Sequence, residues 1–122
     1  MNNTAKQNLL QGRSMKDKSI ESKLLYFNAI ESADGSGLFD AQYALDAFNL
    51  PLTALMELVE AKLLLYFKDE NVAAIVHWNF VAAPYQKGKT SIYPEVKNRL
   101  VVKNNKYYLK HNQENMEIIY ET

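Results

Sequence analysis

The alternation of apolar and polar positions between residues 20 and 78 predicts a helix, a short strand, two helices and a hairpin, in that order. In the first helix, apolar residues recur at near-helical spacing, at Ile20, Leu24, Phe27 and Ile30. The Asp-Gly-Ser-Gly run at residues 34–37 has the composition of a turn and ends that helix. An apolar step at Leu38-Phe39 then predicts a short strand.

Two short helical patterns follow, at residues 41–48 and 52–61. The second carries a continuous apolar stripe, formed by Leu52, Leu55, Met56 and Val59. A stripe with this spacing predicts packing against a core. Pro51 stands where the second of these helices begins, a position that tolerates its missing N–H.

Polar side chains that can cap a helix precede the other two helices. Asp17 or Ser19 can accept a hydrogen bond from the free backbone N–H groups of the helix that begins near residue 20. Asp40 can do the same for the helix at residues 41–48. The caps therefore support the predicted starts of both helices.

Two apolar β-type runs, at residues 63–68 and 72–78, flank the turn Asp69-Glu70-Asn71 and predict an antiparallel hairpin. The resulting order of helix, strand, helix, helix and hairpin is the plan of a winged helix-turn-helix. The predicted fold class is therefore α+β. We expect a winged helix-turn-helix with an antiparallel β-hairpin wing and a small C-terminal extension.

Composition divides the chain into three parts. Residues 1–17 are rich in Asn, Gln, Lys and Ser and predict a flexible N-terminal arm. Residues 18–80 form the predicted winged-helix core, and residues 81–122 form a basic C-terminal extension that could pack on it. In this extension, Asn104-Asn105 suits a tight turn with positive φ and predicts a second hairpin. The last stretch, residues 111–122, could dock as a short helix or strand, or stay loose.

The overall composition is that of a single globular domain, with 122 residues, 48% hydrophobic and 23% charged. No apolar run approaches the ~18 residues that a membrane span needs, and the polar N-terminus lacks a signal-peptide core. The absence of cysteine excludes a disulfide framework and a thiolate metal site. These features predict a cytoplasmic protein with no membrane partner.

The net charge of zero conceals two poles of opposite sign. Residues 31–73 contain eight acidic side chains against Lys62 and Lys68, a balance of −6. Residues 87–111 contain seven basic side chains against Glu95 alone, a balance of +6. Such asymmetry indicates either a basic face for a polyanion or head-to-tail electrostatic association between copies.

Basic residues of the second pole are interleaved with tyrosines, a combination suited to nucleic acids. Basic side chains neutralise phosphates and release counterions, while tyrosines can stack on bases. The predicted DNA-binding residues are Lys87, Lys89, Lys97, Arg99, Lys103 and Lys106. The competing interpretation is a solvated basic face whose tyrosines belong to the core. Since Tyr107 and Tyr108 are neighbours on a strand, at least one should be buried.

The helix at residues 52–61 is the usual DNA-reading element of a winged helix-turn-helix. Here its predicted outward residues are Thr53, Glu57, Glu60 and Lys62. The two glutamates would repel phosphates, so insertion of this helix into a DNA groove is not expected. Any contact with DNA is expected instead from the basic segment at residues 87–110 or from the Lys-rich N-terminus.

Catalytic, nucleotide and metal sites find little support. Residues 83–90, Ala-Pro-Tyr-Gln-Lys-Gly-Lys-Thr, loosely match a phosphate-binding loop but contain one glycine and Pro84, so nucleotide binding is not predicted. His77 and His111 do not supply the three or four ligands that a metal needs, and His77 is expected to be a packed wall residue. Ser, Asp and His show no arrangement typical of nucleophilic catalysis. The chain is therefore predicted not to be an enzyme and to use no cofactor.

Several short motifs resemble a known family through their order along the chain. They are Leu25-Tyr26-Phe27, Ala33-Asp34-Gly35-Ser36-Gly37, the short apolar third helix, Ile75-Val76-His77-Trp78 and Thr90-Ser91-Ile92-Tyr93. Together, over residues 20–109, they resemble the N-terminal winged-helix region of phage replication proteins. These are the replisome-organiser or DnaD-like replication initiation proteins of phages and prophages in Gram-positive bacteria. The chain departs from the family pattern at residues 79–89, which lack an Asp-Arg pair.

The resemblance implies a non-enzymatic module that binds phage or prophage origin DNA and recruits host or phage replication proteins. Family members commonly carry a further domain for helicase-loader contacts, so the chain would be a piece of a longer protein or a stand-alone relative. Two alternatives stay open. One is a protein-interaction module that forms homo-oligomers and has little affinity for DNA. The other is a phage transcription regulator, against which the glutamates of the third helix argue.

Overall fold

The chain has a mixed α+β fold, as the sequence predicts. The computed structural model describes residues 13–87, 90–110 and 120–121. The α-helices are α1 (Arg13–Lys16), α2 (Ile20–Ser32), α3 (Ala41–Ala47), α4 (Leu52–Glu60), α5 (Trp78–Val81) and α6 (Pro94–Lys97). The strands are β1 (Leu38–Asp40), β2 (Leu64–Phe67), β3 (Val72–Ile75), β4 (Leu100–Lys103), β5 (Lys106–Leu109) and β6 (Tyr120–Glu121). Among the described residues, no helix is long and apolar enough to cross a lipid bilayer.

Short polar side chains begin α2 and α3. Ser19 is the N-cap of α2, and its Oγ accepts a hydrogen bond from the backbone N–H of Ser22 at 3.1 Å. Asp40 is the N-cap of α3, and its Oδ1 accepts from the N–H of Tyr43 at 2.8 Å. The first N–H groups of a helix have no partner within it, so each cap satisfies an otherwise free donor. Pro51 directly precedes α4 and offers no side-chain cap.

Strands β1, β3, β2 and β6 form one sheet in that spatial order. β2 and β3 form the predicted antiparallel hairpin, and β1 pairs antiparallel with β3. β6 pairs in parallel with β2, which brings residues 120–121 into the sheet, while residues 111–119 lie outside the described part. The strand predicted over residues 72–78 ends at Ile75, because Trp78 begins α5.

One hydrophobic core joins the helices, the first sheet and the C-terminal hairpin. Met15 is buried in this core with an exposed fraction of 1%, so the predicted N-terminal arm of residues 1–17 belongs to the packed structure at that residue. Residues 1–12 lie outside the described part. Val96, Leu100 and Leu109 belong to the same core, which packs the basic extension onto the rest of the chain.

Most of the apolar residues whose spacing predicts α2 are exposed, and the helix buries a different set of residues. Its buried face consists of Ser22, Leu25, Tyr26, Ala29 and Ile30. Ile20, Leu24 and Phe27 face solvent, with exposed fractions of 73%, 41% and 48%. A period of 3.6 residues predicts a helix, but it cannot choose the buried face when both faces are apolar.

The predicted apolar stripe of α4 is only partly buried. Leu55 and Val59 belong to the core, and Met56 is half-buried against it. Leu52, the first residue of the helix, is 54% exposed. The stripe therefore predicts the core-facing side of α4 correctly, except at the helix start.

The second hairpin, β4 and β5, forms at the predicted residues. Asn104 and Asn105 adopt φ values of 55° and 64°, the left-handed conformation that a two-residue hairpin turn requires. The backbone N–H of Tyr107 donates to the C=O of Val76 at 3.1 Å, which attaches β5 to the chain just beyond β3. Tyr107 is buried and Tyr108 is half-buried, in agreement with the expected burial of at least one of them.

Candidate nucleic-acid interface

The six predicted DNA-binding residues do not form one cluster. Lys87 is half-buried, and its Nζ donates to the backbone C=O of Asn79 at 3.4 Å. Lys89 lies outside the described residues. The structure separates the remaining four: Lys97 lies in α6, Arg99 directly precedes β4, and Lys103 and Lys106 flank the turn between β4 and β5.

Lys97 and Arg99 each lie over an aromatic ring. The Lys97 Nζ is 6.0 Å from the ring centroid of Tyr107, and the Arg99 guanidinium carbon is 5.6 Å from that of Phe67. Arg99 also forms a salt bridge with Glu70, in the turn between β2 and β3. The hydrogen bond from Arg99 holds the pKa of Glu70 below its usual value. A polyanion would have to compete with Glu70 for Arg99, which makes this arginine a weaker candidate than the sequence suggests.

The pairing of β4 with β5 gives the hairpin two distinct faces. One face holds the opposed pairs Leu100–Leu109 and Val102–Tyr107. Three of these four side chains are buried, while Val102, beside the turn, is half exposed. The other face holds the opposed pairs Val101–Tyr108 and Lys103–Lys106. Lys110 directly follows β5, and its N–H donates to the C=O of Arg99 at 2.9 Å, which extends the pairing by one position. Because alternate residues of a strand point to the same side, Lys110 continues this second face, which we call the open face.

The open face surrounds an aromatic centre with exposed lysines. Lys103 and Lys106 are exposed and stand directly opposite each other beside the turn. Lys110 is exposed at the far end of β5. Tyr108 and Val101 lie between them and are half-buried. A four-residue strand is about 13 Å long, so phosphates of one nucleic-acid strand can approach lysines on both sides of the tyrosine.

Lys103 and Lys106 place like charges at directly opposed positions of an antiparallel pair. Like charges at directly opposed positions destabilise a sheet, and the effect of a cross-strand pair on stability is typically about 0.2–1 kcal/mol. The turn at Asn104-Asn105 fixes the register, so the two ammonium groups remain on the same face. A local arrangement that opposes folding is expected at functional sites. The open face is therefore the best candidate for binding a polyanion.

Helix α4 presents negative rather than positive charge. Of its predicted outward residues, three are exposed: Thr53, Glu60 and Lys62. Glu57 is half-buried, because its carboxylate turns toward α2 and accepts from the N–H of Ser19 at 3.1 Å and the Oγ of Ser22 at 2.5 Å. Hydrogen bonds from Ser22 and Ser19 lower the pKa of Glu57. Glu57 therefore ties α4 to the start of α2, and α4 itself contains no basic residue.

Three of the motifs behind the family resemblance, residues 33–37, 75–78 and 90–93, meet at the turn between α2 and β1. Asp34 Oδ1 accepts from the backbone N–H groups of Ser36 at 2.8 Å and Leu38 at 3.1 Å. Its Oδ2 accepts from the Oγ of Ser91 at 2.6 Å and the N–H of Ile92 at 3.1 Å. One carboxylate thus joins the Asp-Gly-Ser-Gly turn to the segment before α6.

Trp78 and Tyr107 also contact this turn. Trp78 Nε1 donates to the C=O of Gly35 at 3.1 Å, and the Tyr107 hydroxyl donates to the C=O of Ser36 at 2.7 Å. Burial raises the pKa of Tyr107 to about 12. At Gly37, where φ is +84°, an added Cβ would lie 2.6 Å from Trp78 Cγ. These contacts give the turn and the residues around it a packing role.

His77 is half-buried and directly precedes α5, as expected for a packed residue. Its ring centroid lies 6.4 Å from that of Phe80. Burial, and secondarily the charge of Lys106, lowers the pKa of His77 to about 4, so the imidazole is neutral at neutral pH. Within the described ranges, no group of three His, Cys, Asp or Glu side chains could hold a metal ion.

Residues 83–90 lack the setting of a phosphate-binding loop in the part that the structure describes. Such a loop joins a strand to a helix whose N-terminus points at the phosphate. Here Pro84–Gln86 forms a 3₁₀ turn that follows α5, and the next helix begins at Pro94. The match in sequence is therefore not accompanied by a strand–loop–helix unit.

Lys110 and Asp34 are not among the six predicted DNA-binding residues. Lys110 belongs to the open face because it alternates with Lys106 and Tyr108, and this alternation can be recognised only when the end of β5 is known. Asp34 is recognisable as a turn residue, but its bond to Ser91 joins positions 57 residues apart, which no local pattern predicts.

No protein-family model, curated protein or solved structure matches this chain.

Proposed function

We propose that this chain is a non-enzymatic DNA-binding module of winged-helix architecture that acts in phage or prophage replication initiation. The order α2, β1, α3, α4, β2, β3 supports a winged helix in which the β2–β3 hairpin is the wing. The role in replication, the recruitment of host or phage replication proteins and a cytoplasmic location rest on the resemblance of the motifs alone.

The observation that carries the DNA-binding proposal is the open face of the β4–β5 hairpin. Lys103, Lys106 and Lys110 surround Tyr108 on a surface with fixed register. Each lysine can neutralise a phosphate and release counterions, and the tyrosine ring can stack on a base or pack against a sugar. Contacts of this kind are made to the backbone and to π-faces, so binding is proposed to be largely independent of sequence.

The proposed approach of DNA differs from groove reading by α4. That helix contains Glu57 and Glu60 and no basic residue, so its surface repels phosphates. We propose that the winged helix serves as the scaffold and that the hairpin behind it makes the contact. This also argues against a transcription regulator, since specific readout needs side chains that reach base edges in a groove.

The head-to-tail alternative receives less support than the open face. Arg99 of the basic pole pairs with Glu70 of the acidic pole within one chain. This contact uses one charge of each pole internally and leaves fewer charges for association between copies. If the following experiment shows no DNA binding by the open face, a protein-interaction module with little DNA affinity becomes the favoured function.

The test compares the double substitution Lys103→Ala/Lys106→Ala with the unaltered protein in fluorescence-anisotropy titrations on random-sequence DNA. We expect weaker binding to every sequence. The slope of log K against log salt should fall in magnitude by about 1.8 on duplex DNA, because each phosphate contact contributes about 0.9. The matched control is Lys16→Ala/Lys68→Ala, which removes two exposed lysines elsewhere and should leave the slope nearly unchanged. Equal affinities and slopes for both double variants would show that the open face does not bind DNA.

A further inference from the structure

Helix α2 is apolar on two opposite faces, and the described chain covers only one of them. Successive residues of a helix are separated by 100°, which places Ile20, Leu24 and Phe27 within about 60° of one another. This direction is opposite to the face formed by the buried residues Leu25 and Ala29. We call these three exposed side chains the α2 stripe.

The α2 stripe is an unusual surface for a 13-residue helix. Its side chains keep 73%, 41% and 48% of their area exposed, at Ile20, Leu24 and Phe27. Single exposed apolar residues are common, but contiguous ones at successive helical turns indicate an interaction site.

We propose that the α2 stripe packs against the α2 stripe of a second copy of this chain, with the two helices antiparallel about a two-fold axis near Leu24. The stripe is centred on Leu24, so this alignment places Ile20 opposite Phe27 of the partner subunit. All three side chains are then buried in both copies. The interface is isologous, as in most homodimers.

Charge at the two ends of the helix selects the antiparallel arrangement. Glu31 is exposed in the last turn of α2 and continues the direction of the stripe. Lys16, Asp17 and Lys18 precede the first turn and have a net charge of +1, from two lysines and one aspartate. The N-terminus of a helix also carries a partial positive charge. In the antiparallel pair, Glu31 of each copy lies near the positively charged N-terminal end of the other copy's α2. Parallel pairing would instead bring the two Glu31 side chains together.

The dimer is expected to be weak. A stable protein interface has about 20–30 residues on each side, and the α2 stripe supplies three anchoring side chains per copy. Self-association should therefore depend on concentration. A covalent trap is the appropriate detector, because it accumulates a complex that is populated for only part of the time.

The experiment uses the absence of cysteine from the chain, so that each introduced thiol is the only one. Leu24→Cys should form a disulfide-linked dimer under mild oxidation at high protein concentration. Gln42→Cys is the control, since it places an exposed thiol on α3. A mixture of Ile20→Cys and Phe27→Cys proteins should give mainly the mixed dimer. Circular dichroism of each variant checks that it is folded.

Each outcome supports or overturns the proposal. Faster crosslinking of Leu24→Cys than of Gln42→Cys, with the mixed dimer predominating, supports antiparallel pairing. Predominant homodimers of Ile20→Cys would show parallel pairing and overturn it. Equal rates for Leu24→Cys and Gln42→Cys would also overturn it, as would sedimentation of the unaltered chain that stays monomeric at all concentrations.

Discussion

Gly37→Ala should destabilise the fold strongly, because Gly37 meets two constraints at once. Its φ of +84° is left-handed, a conformation that costs an L-residue about 1–2 kcal/mol. An added Cβ would also lie 2.6 Å, 2.8 Å and 2.9 Å from three atoms of Trp78. Relieving such overpacking typically costs about 1–3 kcal/mol. The sum, about 2–5 kcal/mol, is a large part of the roughly 5–15 kcal/mol that stabilises a typical domain.

Urea unfolding followed by tryptophan fluorescence measures this loss directly. Trp78 is the single tryptophan of the chain and lies against Gly37, so its emission reports on the perturbed contact. Gly35→Ala is the control, because Gly35 does not have a left-handed φ. In a Trp78→Ala background, followed by circular dichroism, Gly37→Ala should cost only its backbone part of about 1–2 kcal/mol. An unchanged free energy of unfolding for Gly37→Ala alone would refute the close approach of the turn to Trp78.

Two further predictions concern pH. Glu57→Gln should lower the free energy of unfolding at neutral pH, since the carboxylate accepts hydrogen bonds from Ser19 and Ser22. The folded pKa of Glu57 lies below its usual value, so this stabilisation is present above about pH 4.5 and is lost as the pH falls through the folded pKa. The free energies of unfolding of the two proteins should then converge in urea titrations as the pH is lowered, and a difference that stays constant with pH would contradict this. For His77, an NMR titration should give a pKa of about 4. Because the folded pKa lies below the usual 6.5, the neutral His77 contributes its full stabilisation above pH 6.5, and this contribution is lost as the pH falls toward 4. In His77→Phe, the free energy of unfolding should no longer show this pH dependence.

Local chemistry makes much of the secondary structure predictable from the sequence. The β4–β5 hairpin forms at the predicted residues, because Asn104 and Asn105 tolerate the positive φ that the turn requires. Ser19 and Asp40 act as caps because short polar side chains before a helix can accept its free N–H groups. These features depend on neighbours within a few residues.

Other features depend on long-range contacts and are not predictable in this way. The face of α2 that is buried depends on where α3 and α4 lie, since Leu24 and Leu25 are equally apolar. The candidate site shows the same limit: Lys97 lies near Tyr107 on the core side of the hairpin, whereas Lys103 lies on the open face. The sequence places both in one basic run, but Lys97 ends α6 and Lys103 ends β4, and the packing of these two elements separates them.

Affinity of the unaltered chain for random-sequence single-stranded and duplex DNA, measured as a function of salt, tests the central proposal most directly. If Lys103, Lys106 and Lys110 each neutralise one phosphate, log K on duplex DNA should fall with log salt with a slope of about −2.7. The slope on single strands should be about −2.1. Absence of binding to either DNA at low salt, or binding that does not change with salt, would contradict a nucleic-acid interface on the open face.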